Sequence, residues 1–171
     1  TIFSARSAEE MRAALVELRA QGADRFVLDL RGNPGGVVSA AVDIADMWLD
    51  SGVVLLERHA DGSEKEYTAE PGGEAGDTPL TILVDGGTAS AGEILAGALQ
   101  DHRRAQLVGE KTFGKGSVQL VYELSDQSSL HVTNAQWFTP DGHQITGLGL
   151  TPDVAVEPGV DPLPQALLLL N

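Results

Sequence analysis

Arg25-Phe26-Val27-Leu28-Asp29-Leu30, followed at once by Arg31-Gly32-Asn33-Pro34-Gly35-Gly36, is the stretch that decides the fold. Its first half is a short, mostly apolar run of the kind that forms a buried strand, and its second half is a cluster of residues that break regular structure. Directly beyond, Val38, Ala41, Val42, Ala45, Trp48 and Leu49 recur at helical spacing, with Gly52 as punctuation. Strand, tight turn and helix in succession make one unit of an α/β sheet. The same unit returns downstream: 80–84 is an apolar run, Asp85-Gly86-Gly87 breaks it, and 90–99 has the composition of a helix.

Working outward, Ser7-Ala8-Glu9-Glu10 has the pattern of a capping box. Met11, Ala14, Leu15 and Leu18 then predict a first helix ending at Gly22. Residues 53–57 read as a strand, Asp61-Gly62 as a turn and 64–68 as a more polar strand. The segment 69–78, rich in Gly and acidic residues, is expected to be a loose surface loop. Beyond Arg104 the pattern turns to β at 106–108, 118–124 and 130–138, with Ser125-Asp126-Gln127-Ser128 as a turn. A loop over 140–152, a short strand at 154–156 and a terminal helix at 165–170 complete the chain, the run Ala166-Leu167-Leu168-Leu169-Leu170 being expected to pack on the core. No internal repeat is present. The fold class is α/β, with sheet layers covered by helices, and 1–171 reads as one domain.

The chain has 171 residues with 11 Lys+Arg against 25 Asp+Glu, a formal net charge of −14. Such a charge disfavours nucleic acid or an anionic membrane surface as partner. No apolar run is long enough to cross a bilayer, and Thr1-Ile2-Phe3-Ser4 has no signal-peptide pattern. Lacking Met at position 1, the chain reads as a mature form or a fragment. With no cysteine, catalysis has to use oxygen, nitrogen or carboxylate groups.

Both strand-to-loop junctions carry glycines where α/β sheets usually build their sites. At the first, Gly35 and Gly36 permit an amide N–H to point at an anion, as in an oxyanion hole; the alternative is an ordinary helix-entry turn. At the second, Gly87-Thr88-Ala89-Ser90-Ala91-Gly92-Glu93-Ile94 sets a serine among small residues at a helix start. Its hydroxyl would lie near the positive helix end, with the Ala91 N–H available to a developing oxyanion; the alternative is an N-cap serine.

A base partner decides between those readings. His59, His102, His131 and His143 lie beside turns, at a helix end or within a strand, so a Ser-His-Asp triad is not indicated. Lys115, between two glycines in Thr112-Phe113-Gly114-Lys115-Gly116, is a stronger candidate than its surface-lysine alternative only if it is brought under cover. Lowering an ammonium from its ordinary ~10.4 to near neutrality costs about 4 kcal/mol of differential solvation. The flanking glycines and Phe113 are expected to supply that cover. Gln119 shares one strand face with Ser117, Val121 and Glu123, so its amide could point back at the lysine, or serve as an ordinary polar strand residue.

These residues resemble the C-terminal processing peptidases, or tail-specific proteases, a family of serine proteases with a Ser-Lys dyad. The resemblance rests on Leu28-Asp29-Leu30-Arg31-Gly32-Asn33-Pro34-Gly35-Gly36, on Gly87 to Ile94, and on Gly109-Glu110-Lys111-Thr112-Phe113-Gly114-Lys115-Gly116. It extends through Ala96-Gly97-Ala98-Leu99-Gln100-Asp101, Thr139-Pro140-Asp141-Gly142 and Gly149-Leu150-Thr151-Pro152-Asp153-Val154 to nearly the whole chain. It implies a crotonase/Clp-protease-like α/β sandwich, with Ser90 as nucleophile, Lys115 as general base and Gln119 orienting the lysine. The backbone N–H groups of Gly36 and Ala91 form the implied oxyanion hole, and no metal or cofactor is called for.

The implied activity is endopeptidase cleavage of unfolded or C-terminally tagged proteins with nonpolar C-termini, through an acyl-enzyme. Gly92 departs from the serine found in many members. Members also carry an upstream PDZ domain, absent from this sequence. The chain is therefore expected to be a catalytic core, weak in substrate recruitment, from a longer extracytoplasmic protein of the bacterial envelope or an organelle lumen; a homo-oligomer is compatible with the resemblance. The rival readings are a noncatalytic peptide-binding core, inert without its PDZ domain, and an acyl-CoA enzyme sharing the fold. The acidic charge and the absence of a basic cluster disfavour the latter.

Overall fold

The computed structural model describes residues 2–170, apart from the side chains of Leu120 and Val121. Its elements are α1 (Ser7–Ala20), β1 (Phe26–Asp29), α2 (Val38–Asp46), β2 (Gly52–His59), β3 (Glu64–Ala69) and β4 (Leu80–Val84). They continue with α3 (Ala91–Asp101), β5 (Gln106–Gly109), β6 (Ser117–Glu123), β7 (Ser129–Phe138), β8 (Val154–Ala155) and α4 (Leu163–Leu168). Two four-stranded sheets result: a parallel one in the order β1-β4-β5-β8 and an antiparallel one in the order β3-β2-β7-β6. Parallel strands need crossovers, and α2 and α3 follow β1 and β4 as the sequence predicts.

The two crossover helices lie between the sheets. Ala41, Ala45, Leu95 and Leu99 pack with Ile82, Val84 and Leu107 of the parallel sheet, while Ile94 packs with Leu55 and Trp137 of the antiparallel one. Residues 91–99 are consequently buried on every side of α3, so the helix that begins beside Ser90 is held as rigidly as any core element. On the far face of the parallel sheet, Ala166 of α4 packs on Leu83 and Val108.

Four expectations need correction. Ser7 is not the cap of α1: its hydroxyl turns back to accept the Ser4 N–H at 2.9 Å, and Arg6 holds the cap position. Of the predicted α1 stripe, Leu15 is buried and Met11 half-buried, while Ala14 and Leu18 are exposed, because the helix packs on the body chiefly along α2. The segment 69–78 is not loose, since two guanidinium groups pin it. Arg19 donates to Ala75 O and Thr78 Oγ1, and Arg104 to Gly76 O and Thr78 O, all at 2.6–2.7 Å. The terminal run is core only in part, with Ala166 and Leu170 buried but Leu167 and Leu168 exposed.

Candidate active site

The two glycine-bearing loops at the carboxyl ends of β1 and β4 are laced together by hydrogen bonds from backbone and side chains. Asp85 Oδ1 accepts the N–H of Gly32 at 2.8 Å, Thr88 Oγ1 donates to Leu30 O at 2.8 Å, and Ala89 N–H donates to Asn33 O at 2.9 Å. Asn33, itself buried, bends its Oδ1 onto the Gly35 N–H at 2.9 Å. Contact at Gly35 is so close that a Cβ there would sit 2.7 Å from Ser90 Cβ and 2.9 Å from Ala91 N. With φ at +100°, glycine is required on both steric and conformational grounds.

Gly36 is fixed from its other side. Phe3 forms a parallel bridge, donating its N–H to Gly35 O at 2.8 Å and accepting from Val37 N at 2.9 Å. That pairing uses the flanking residues and turns the N–H of Gly36 away from Phe3. Neither the Gly36 N–H nor that of Ala91 donates to an acceptor among the described residues. They are two unspent donors on adjoining segments of a two-loop junction.

Ser90 sits at the entrance of α3 with φ 55° and ψ −122°, a conformation L residues rarely adopt and one that functional turns store as strain. What holds it there is Glu93, one turn into the helix. This carboxylate is fully buried (0% exposed) and saturated by four donors: Oε2 accepts Ser90 N–H at 2.9 Å and Lys115 N–H at 2.8 Å, while Oε1 accepts Gly114 N–H at 2.7 Å and Thr112 Oγ1 at 2.5 Å. Ser90 N and Lys115 N share one oxygen, so the two backbones meet within two hydrogen-bond lengths.

Glu93 was not singled out by sequence reasoning. The signal existed: Ser90-x-x-Glu93 has capping-box spacing, and Glu93 is the sole charged residue between Ser90 and Leu99. The loop it grips is supported from behind, since Gly147 N–H donates to Gly114 O and Leu150 N–H to Thr112 Oγ1.

The base side differs from expectation in three respects. The Lys115 side chain is exposed, its ammonium has no hydrogen-bond or ion-pair partner among the described residues, and Phe113 is 66% exposed rather than a wall over it. The inward pull acts on the backbone: Gly114 and Lys115 both spend their N–H groups on Glu93, which leaves the side chain outside. Gln119 lies on β6, exposed and without a side-chain hydrogen bond among the described residues, so it is not set against Lys115 here. The histidines stay outside the site, bonding Asn134 (His59), Val53 O (His102), Ser129 (His131) and Thr139 (His143).

Charge near the junction is organised by Arg31, which donates to both Asp29 oxygens at 2.9 and 2.6 Å and to Asp161 Oδ1 at 3.0 Å. These hydrogen bonds hold the Asp29 carboxyl below its ordinary range and raise the guanidinium further. Arg31 lines a cleft of about 380 Å³ with Asp85, Glu110 and Asp161; Ser90 and Lys115 lie outside it.

Known proteins are similar to this chain in sequence and in fold. A carboxyl-terminal-processing protease from Synechocystis is 51% identical over 155 residues, covering 91% of this chain and 36% of the relative. Carboxyl-terminal-processing peptidase 3, chloroplastic, from Arabidopsis thaliana is 43% identical over 161 residues, covering 94% and 31%. The chain thus spans about a third of the length of these relatives. Among solved structures, the photosystem II D1 C-terminal processing protease superposes with a TM-score of 0.85 at 40% identity, over 99% of this chain and 45% of the other. The observed α/β sandwich is the one the resemblance implied. Because the model of peptidase family S41 matches residues 1–156, which include both glycine loops and the whole Glu93 network, the chain belongs to peptidase family S41.

Proposed function

We propose that the chain is the catalytic core of a carboxyl-terminal-processing serine endopeptidase, with Ser90 as nucleophile and Lys115 as general base. The observation that carries this reading is the shared Glu93 oxygen, which ties the backbones of Ser90 and Lys115 to one point. Neutral Lys115 Nζ takes the Ser90 Oγ proton as Oγ attacks a peptide carbonyl. The oxyanion forms against the unspent N–H groups of Gly36 and Ala91, which cost no reorganisation because the loop lacing already fixes them. Collapse expels the amine, protonated by the Lys115 ammonium, and water then repeats the cycle on the acyl-enzyme.

A polypeptide laid over the site contributes to the chemistry by stripping water from the exposed Lys115 Nζ. Gln119 serves as the polar partner that orients Lys115 once that cover is in place. The names of the relatives support the carboxyl-terminal segments of proteins as the substrate, and we take these to be nonpolar C-termini of unfolded or C-terminally tagged proteins. Recruitment by a PDZ domain in a longer extracytoplasmic protein is part of the same proposal. The test is hydrolysis of an unfolded protein with a nonpolar C-terminus. Loss of cleavage in Ser90→Ala and Lys115→Arg supports the dyad, because a guanidinium stays protonated; retained cleavage in either variant excludes it.

A further inference from the structure

The antiparallel sheet treats its two edges differently. At β3 the outer edge carries exposed Glu64, Lys65 and Glu66, the charged residues that natural sheets use to discourage pairing with another chain. At β6, the strand that leaves the Lys115 loop, that protection is largely missing. Tyr122 (51% exposed) and Leu124 (48%) lie on the same face as Leu130 (51%) and Val132 (42%) of β7, an open apolar surface beside a free edge.

The backbone of this edge is available too. Leu124 N–H donates to Ser128 O at 2.8 Å, which makes 124/128 a hydrogen-bonded pair and, by alternation along the register, Tyr122/Leu130 another. The residues that alternate with these along the strand, Gln119, Val121 and Glu123, belong to non-bonded pairs, so their N–H and C=O groups point away from β7. Three successive sites for a pairing strand therefore begin at Gln119, and the strand starts two residues after Lys115.

We propose that β6 is a template on which the substrate polypeptide adds as an extended strand. The face of Tyr122, Leu124, Leu130 and Val132 then selects apolar side chains at every second substrate position. This rests on the endopeptidase reading and adds to it a recognition mode: main-chain pairing supplies affinity, and the alternate apolar contacts supply selectivity. Continuity with the Lys115 loop is what commits the edge to substrate, because a strand paired along β6 is led to Ser90. Charge points the same way. Two copies of a chain with net charge −14 repel each other, whereas a neutral or basic peptide does not.

The test uses the Ser90→Ala chain, which holds a peptide without cutting it. The probes are a peptide alternating leucine and lysine, and an isomer of equal composition with leucine at helical spacing. Amide exchange is followed residue by residue. The expected result is slowed exchange at the outward amides of Gln119, Val121 and Glu123 with the alternating peptide only, and about tenfold weaker binding in Leu130→Ser. Glu123→Pro, which removes an outward N–H that β7 does not use, should keep the fold and also weaken binding. Equal effects of both peptides, or no slowing at these amides, overturn the proposal. The Ser90 endopeptidase reading fails by a separate observation, no cleavage by the parent chain or cleavage that survives Ser90→Ala, so the two failures are distinguishable.

Discussion

The two halves of the site are built to different rules. On the nucleophile side, Ser90, Ala91 and Gly35 are all buried, and the two loops are joined by hydrogen bonds that leave no slack. On the base side the backbone of Lys115 is anchored as firmly, through Glu93, yet its side chain stands in solvent. On the proposed reading, the geometry of attack and oxyanion binding is thus prepared in advance, while the lysine side chain is left open to whatever covers it. Rigid placement costs the fold strain at Ser90. Exposure of the lysine avoids the larger cost of burying an amine permanently.

That contrast can be broken first at Glu93, the group both halves share. In Glu93→Gln one oxygen becomes an NH2 facing donors on its own side, so the network cannot be satisfied in either orientation. A loss of about 3–5 kcal/mol in chemical denaturation is expected, with cleavage falling together with it. An unchanged midpoint would show that the carboxylate is not the shared anchor. Next, Gly35→Ala drives a methyl into Ser90 Cβ and the Ala89 carbonyl at positive φ. Stability should fall by about 1–3 kcal/mol, and kcat should fall while KM changes little, since the displaced groups face the transition state.

Lys115→Arg sharpens the contrast from the other side. Stability should stay within about 0.5 kcal/mol of the parent because the side chain is exposed, even though turnover is lost; a large destabilisation would mean that Nζ is held by the fold. The smallest effect concerns Asp29. Its carboxyl is held below the unfolded value of ~3.9 by Arg31. Its contribution is therefore present above that value and lost as pH falls through the folded one. At a half-exposed site this is about 1 kcal/mol or less, read as a reduced pH dependence of the unfolding midpoint below pH ~4 in Asp29→Asn.

Much of this was legible in residue order. The Gly35-Gly36 and Gly87-to-Ile94 motifs announced two strand ends, and Lys115 between glycines announced a constrained loop. Glu93 was not read, because an acid three residues into a helix looks like a local cap; its other donors come from Thr112, Gly114 and Lys115, far along the chain. The segment 69–78 misled by composition, since the arginines that order it lie in α1 and just past α3.

By itself, then, the sequence determined the alternation of strand and helix and the places where the chain must turn, and it offered the hydroxyl and the amine that the proposal uses. These are local matters, set by side-chain periodicity and by the dihedral freedom of glycine and proline. Only the tertiary structure decided that one buried carboxylate joins those groups, that the amine faces solvent, and that β6 ends the sheet with an open apolar face. Each depends on what distant segments bring into contact, and burial, electrostatics and edge pairing arise only when the segments meet.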